Sequence, residues 1–221
     1  MRGTVKKACI FDLDGTLANT ITSIAYFGNA ALKESGLPPV EEDRYRYLVG
    51  NGADNLMRGM LQTVKPGYTE AEVKALRIRY DGFYESDPLF LVSNYPGVPE
   101  LLKELSVRRI KLAVLSNKPH NVTSMIIKEL FPAGTFSCCY GQRPQVDRKP
   151  SPQGALLIAQ ELGVKPEECL YIGDTDVDMK TGRAAGMTAV GVLWGFRGRE
   201  ELERSKADHI VAKPQEILTL L

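Results

Sequence analysis

Two carboxylates separated by a single residue, Asp12 and Asp14, lie in the stretch Phe11-Asp12-Leu13-Asp14-Gly15-Thr16-Leu17. Acids this close repel each other, so the pattern makes sense where a cation lies between them or one of them keeps a proton. A magnesium-assisted carboxylate nucleophile with a proton-handling neighbour meets both conditions. The competing reading is a turn whose acids cap the next helix, because Asp and Gly dominate turns. The stretch follows the apolar run Ala8-Cys9-Ile10-Phe11, short and bounded like a buried strand, and leads through Gly15 into a helical pattern from about Thr20. The acids therefore fall at a strand end, where open α/β sheets bind their ligands.

Three later stretches carry further chemistry. Ser116, in Leu115-Ser116-Asn117-Lys118, ends an apolar run, and its hydroxyl with the N–H groups that follow suits phosphate oxygens at a strand-to-helix turn. Ser and Asn also make ordinary turns, so this stretch counts only with the others. Lys149, in Arg148-Lys149-Pro150-Ser151-Pro152, offers a compact positive charge. Gly173-Asp174-Thr175-Asp176-Val177-Asp178 follows another strand-like run, with Asp174 and Asp178 one helical turn apart and Asp176 favourable at a helix N-terminus. A calcium EF-hand fails here, for the required Gly and terminal Glu are missing.

With these segments in this order, the chain resembles the haloacid dehalogenase superfamily phosphatases from Cys9 to about Ala212, and more narrowly the phosphoglycolate phosphatases. The resemblance implies that Asp12 is the nucleophile that forms an aspartyl-phosphate. It implies that Asp14 protonates the leaving oxygen and then activates water, a second acid that dehalogenases lack. Phosphate binding falls to Ser116, Asn117 and Lys149. Magnesium is expected on Asp12, Asp174 and the Asp14 carbonyl, with Asp178 holding a metal-bound water or steering Lys149. The segments Gly50-Asn51-Gly52-Ala53, with Leu56 and Met57, and Trp194-Gly195-Phe196-Arg197-Gly198 also resemble phosphoglycolate phosphatases. One departure is Ala18-Asn19-Thr20-Ile21-Thr22, where many relatives carry acidic or Pro-containing residues, and it bears on the substrate more than on the reaction.

The elements that must position these residues follow from periodicity. Helices are predicted over 20–35, 40–48, 53–61 and, from a capping box at Thr69-Glu70-Ala71-Glu72, to about Ser86. That helical block shows no convincing strand. From Pro99 strands and helices alternate: helix 99–107, strand 111–115, helix 119–130, strand 136–140, helix 152–162, strand 169–172, helix 176–185, strand 188–193 and a helical tail after Pro214. The expected fold is α/β, a Rossmann-like parallel sheet core (residues 1–17 and 96–221) with an inserted all-helical cap domain (residues 18–95) that sets substrate choice.

Lys plus Arg number 28 against 27 Asp plus Glu, so no basic surface advertises nucleic acid or an anionic membrane as partner. The basic start at residues 1–7 precedes an apolar run too short for a signal peptide, and no run approaches the ~18 apolar residues of a membrane span. A soluble, cytoplasmic monomer or homodimer is expected. Of the four cysteines, three lie in strand-like runs and Cys139 adjoins one, which reads as reduced thiols rather than a disulfide framework. Two histidines far apart argue against a His-rich zinc site. Gly50-Asn51-Gly52 lacks the preceding strand and third Gly of a dinucleotide fingerprint. The expected activity is magnesium-dependent hydrolysis of a small phosphorylated metabolite, 2-phosphoglycolate first. A hexose-phosphate mutase or pyrophosphatase on the same scaffold is the alternative in chemistry, and a non-catalytic phospho-ligand binder is the alternative in class.

Overall fold

The apolar run ahead of the Asp pair forms strand β1 (Ala8–Phe11), buried along its whole length. The computed structural model describes residues 4–221, so the basic start is in part outside the described residues. After β1 come the short strand β2 (Ala18–Asn19), helices α1 (Ile21–Glu34), α2 (Glu42–Leu48), α3 (Ala53–Val64) and α4 (Glu70–Ser86), and the short strand β3 (Ser93–Asn94). Alternation then begins with α5 (Val98–Val107), β4 (Lys111–Pro119), α6 (His120–Leu130), β5 (Cys138–Gln142) and α7 (Gln153–Leu162). It continues through β6 (Cys169–Gly173), α8 (Asp176–Ala184), β7 (Thr188–Val192), α9 (Arg199–Arg204) and β8 (His209–Val211).

Six strands form one sheet in the order β5-β4-β1-β6-β7-β8, every neighbouring pair parallel. The expected Rossmann-like α/β architecture is therefore present. Strands β1 and β6 are buried throughout, because parallel sheets are covered on both faces, and their sequences are accordingly near-continuous apolar runs. Residues of β1, β4, β6 and α7 share one apolar core that includes Ile10, Leu115, Ile158 and Tyr171. The winding reverses between β1 and β6, which makes the carboxyl ends of these two strands the switch point where such sheets bind ligands.

Several boundaries differ from the periodicity reading. β5 starts at Cys138 rather than 136, because Thr135 N–H closes a turn on Pro132 O (3.1 Å) and Phe136 packs edge-on against Phe131. β4 runs past Ser116 to Pro119. The six-residue helix α9, short and charged, and the three-residue strand β8, too short to show a period, are elements that periodicity does not predict. The tail after Pro214 is a 3-10 helix, Pro214–Leu220. All four cysteines are free thiols; Cys9 and Cys169 are buried, while Cys138 and Cys139 are half-buried on the edge strand β5.

The chain divides into two compact units, Met1–Asn19 with Ser93–Leu221, and Thr20–Val92. In the first, β2 and β3 pair antiparallel, Ala18 with Asn94 and Asn19 with Ser93, where no strand was expected. The second is helical. Its α1 packs on α2 and α4, and α3 packs on α4. The capping box at Thr69 and Glu72 starts α4 as the sequence indicated. α2 opens two residues later than the reading, at Glu42. Asn29 on α1 fixes the connection to α2 by bonding both the N–H and the carbonyl of Val40 (2.8 and 2.9 Å).

Candidate active site

The site begins where β1 ends. Asp12 N–H donates to Ile172 O on β6 (2.9 Å), so the strand pairing itself fixes where the Asp12 side chain starts. The chain then turns sharply: Leu13 O accepts from Leu17 N (3.1 Å) and Ala18 N (3.0 Å). Gly15 sits at φ +88°, and a Cβ there would lie 2.3 Å from Asp174 Oδ2, so this turn requires glycine for both conformation and space.

Lys149 is the hinge of the charge network. Its ammonium lies 2.8 Å from Asp12 Oδ1 and 2.8 Å from Asp178 Oδ1, with side chains 3%, 9% and 0% exposed respectively. Asp178 is fixed in turn, since its other oxygen accepts from Thr175 Oγ1 (2.7 Å) and Thr175 N (3.2 Å) at the start of α8. One acid thus caps a helix and aims a lysine. Asn117 holds the main chain of Lys149 from both sides, donating to Lys149 O (3.0 Å) and accepting from Lys149 N (2.9 Å). Ser116 is buried beside it, and its hydroxyl accepts from Lys118 N (3.2 Å).

Asp14 lies in a partner arrangement the sequence reading did not foresee. Lys118 Nζ reaches both of its carboxylate oxygens, at 3.0 and 3.1 Å. The only sequence signal was that Lys118 closes the same Ser-Asn-Lys string. Nothing in periodicity links it to a residue 104 positions earlier.

Asp12, Asp174 and Asp178 bring carboxylate oxygens within 4.8 Å of one another, all three buried. Burial first, and then Asp178, push the Asp12 carboxyl up to about 7 against the pull of Lys149. Asp174 is raised well above the ordinary carboxylate range by burial and by Asp178 and Asp12, with the Phe196 N–H and Arg197 opposing. Burial alone would lower Lys149, but Asp12 and Asp178 outweigh it and hold the ammonium well above its ordinary value. Three acids crowd together with one lysine shared by two of them, an excess of negative charge that a divalent cation relieves.

The donor set fits such a cation. Asp174 Oδ2 accepts from Phe196 N (2.7 Å), while its Oδ1 is buried with no hydrogen-bond partner among the described residues. Orphaned buried carboxylate oxygens are costly unless something binds them. Asp178 has both oxygens committed to Lys149 and Thr175, which leaves Asp12 and Asp174 as the side chains that could hold a cation. Oxygen donors of this kind suit magnesium.

The structure brings together Asp12 and Asp174, just past β1 and β6, Ser116 within β4, Lys149 in the loop before α7 and Asp178 in the first turn of α8, with Asp14 joined to this group through Lys118. Missed by sequence reasoning were Lys118, Thr175 and the part of Asn117 in holding Lys149. No helix among the described residues is long and apolar enough to cross a membrane.

The family model for haloacid dehalogenase-like hydrolases matches residues 9–192. The phosphoglycolate phosphatase of Pseudomonas putida is 32% identical over 200 residues, which cover 88% of this chain and 72% of that protein. That of Pectobacterium atrosepticum is 30% identical over 218 residues, covering 99% and 93%. Among solved structures, a predicted phosphoglycolate phosphatase from Haemophilus somnus superposes with a TM-score of 0.89 at 29% identity, covering 97% of each chain.

Proposed function

The chain belongs to the haloacid dehalogenase-like hydrolases, and on that premise we propose that it is a magnesium-dependent phosphatase of small phosphate monoesters, 2-phosphoglycolate first among them. The observation that carries the reading is the convergence of segments distant in the chain on one buried lysine, 2.8 Å from both Asp12 and Asp178, with a buried carboxylate oxygen of Asp174 that has no hydrogen-bond partner among the described residues.

In this reading Asp12 attacks phosphorus as the ester oxygen departs, forming an aspartyl-phosphate. Both contacts of its carboxylate, from Leu13 N and Lys149 Nζ, fall on Oδ1, which sets the direction of the other oxygen. Lys149 and Ser116, with main-chain N–H groups of the turn after Ser116, hold the phosphoryl oxygens. Asp14 gives a proton to the leaving oxygen and takes one from the water that next attacks phosphorus, releasing phosphate and restoring Asp12. Because Lys118 bridges both oxygens of Asp14, delivery of that proton requires Asp14 to turn out of the pair. Asp12, Asp174 and, by resemblance, the Asp14 carbonyl would hold magnesium, which when bound would supply charge neutralisation at the phosphoryl group.

The test is phosphate release from a panel of small monoesters and pyrophosphate, with and without magnesium. Release from 2-phosphoglycolate that stops on chelation and returns with added magnesium is the expected result. Isomerisation of a hexose phosphate without release would overturn the hydrolase reading, and a preference for pyrophosphate would move the substrate. Asp12→Asn should reduce turnover by about 10³-fold or more while the protein melts cooperatively, in keeping with loss of a group that acts only through the transition state. Asp14→Asn should accumulate phosphoenzyme, detectable by mass.

A further inference from the structure

The segment Trp194-Gly195-Phe196-Arg197, which follows β7, touches neither Lys149 nor the phosphate-binding turn in any hydrogen bond described above, yet it is wedged into the acidic centre. We propose that this turn is a buckle that positions the divalent-cation site, fastening together the two loops that carry its ligands. The inference rests on the reading of Asp12 and Asp174 as ligands, and it concerns residues that no step of the proposed reaction uses.

Each fastening is a separate contact. Phe196 N–H donates to Asp174 Oδ2 (2.7 Å), which fixes the carboxylate plane and leaves Oδ1 as the orphaned oxygen. Trp194 Nε1–H donates to Thr16 O (3.0 Å), two residues past Asp14, so the same turn grips the first loop. Between these, the main chain of Gly195 is in direct contact with both loops. A Cβ there would stand 2.3 Å from Asp174 Cβ, 2.6 Å from Asp174 Oδ2 and 2.4 Å from Gly15 O. No side chain fits, since Gly15 O belongs to the main chain and cannot swing aside. The turn is anchored from behind by Glu201 on α9. Its Oε1 takes both Arg197 Nε (3.2 Å) and Asp176 N (3.2 Å), tying the turn to the start of α8, two residues past Asp174. Arg197, with its side chain 7% exposed, adds a buried positive charge that favours the ionised form of Asp174.

A carboxylate that offers one defined oxygen loses less freedom on binding a cation than one that rotates. Groups that orient ligands in this way commonly change metal affinity about 10–100-fold when removed. The buckle thus assigns a physical role to a short aromatic and glycine segment that the sequence marked only by its resemblance to phosphoglycolate phosphatases.

The experiment is isothermal titration of the full chain with Mg²⁺, alongside melting with and without Mg²⁺, for the native protein, Trp194→Phe and Gly195→Ala. Trp194→Phe keeps an aromatic ring and deletes one N–H. The expected result is Mg²⁺ binding weakened by about tenfold in each variant, a smaller Mg²⁺-induced rise in melting temperature, and recovery of phosphatase turnover in Trp194→Phe as Mg²⁺ is raised. A lower melting temperature in the metal-free state with Mg²⁺ affinity equal to that of the native protein would overturn the proposal, because it would make the turn structural only. If Gly195→Ala fails to fold, Trp194→Phe alone decides. Absence of Mg²⁺ binding in the native protein would instead remove the reading on which the inference rests.

Discussion

At the scale of the residue, the acidic centre is built at the expense of its own stability. Three buried carboxylates crowd together, two of them on one ammonium, and the Asp12 carboxyl stands at about 7 against an ordinary 3.8, chiefly through burial. The folded chain therefore holds a proton that the unfolded chain has released between these two values. That contribution is complete below about pH 4 and is lost as pH rises through 7, so metal-free stability should fall across this window. Magnesium competes with the same protons, so its affinity should rise with pH and level off above neutrality. Melting curves from pH 5 to 8, with and without Mg²⁺, measure both trends; a metal-free melting temperature that climbs with pH would contradict them. Asp174→Asn removes one of the crowded charges while keeping an acceptor for Phe196 N–H. It should raise the metal-free melting temperature by about 2–4 °C per kcal/mol recovered and abolish the rise that Mg²⁺ produces in the native protein.

At the scale of the element, two helices begin with the same local device and should respond differently. Thr175 and Asp178 start α8, and Thr69 and Glu72 start α4. Removing either hydroxyl as Ala should cost about 1 kcal/mol of stability. Of these two helices, α8 is the one whose capping acid also holds the lysine proposed to bind phosphate, so Thr175→Ala should in addition lower kcat, by about fivefold if the Lys149 position loosens by a comparable energy. Thr69→Ala should leave kcat where it is. Parallel melting and steady-state measurements on the two variants make the comparison, and equal effects on kcat would dissociate the cap of α8 from the lysine. The capping box of α4 could be read directly as Thr-x-x-Glu before a helical period, whereas that of α8 was hidden inside a string of acids with several competing roles.

At the scale of the molecule, the chain leaves the first unit at Asn19 and re-enters it at Ser93, and these ends are paired neighbours in the β2–β3 ribbon. Replacing residues 20–92 by a two-residue Asn-Gly turn should therefore leave a core that melts cooperatively and still binds Mg²⁺, as circular dichroism and calorimetry would show. A non-cooperative melt would mean that the first unit depends on the second for its stability. The reactive groups, their order and the strand-to-turn junctions that carry them are legible in the primary structure, because strand periodicity, turn residues and short motifs are local and survive without knowledge of the fold. The partnerships are not: that Lys149 is shared by Asp12 and Asp178, that Asn117 serves Lys149, that Lys118 holds Asp14, and that a turn after β7 grips Asp174 became visible with the folded chain. Those pairings follow from the strand order β5-β4-β1-β6-β7-β8, which sets side by side loops whose separation along the chain leaves no periodic trace.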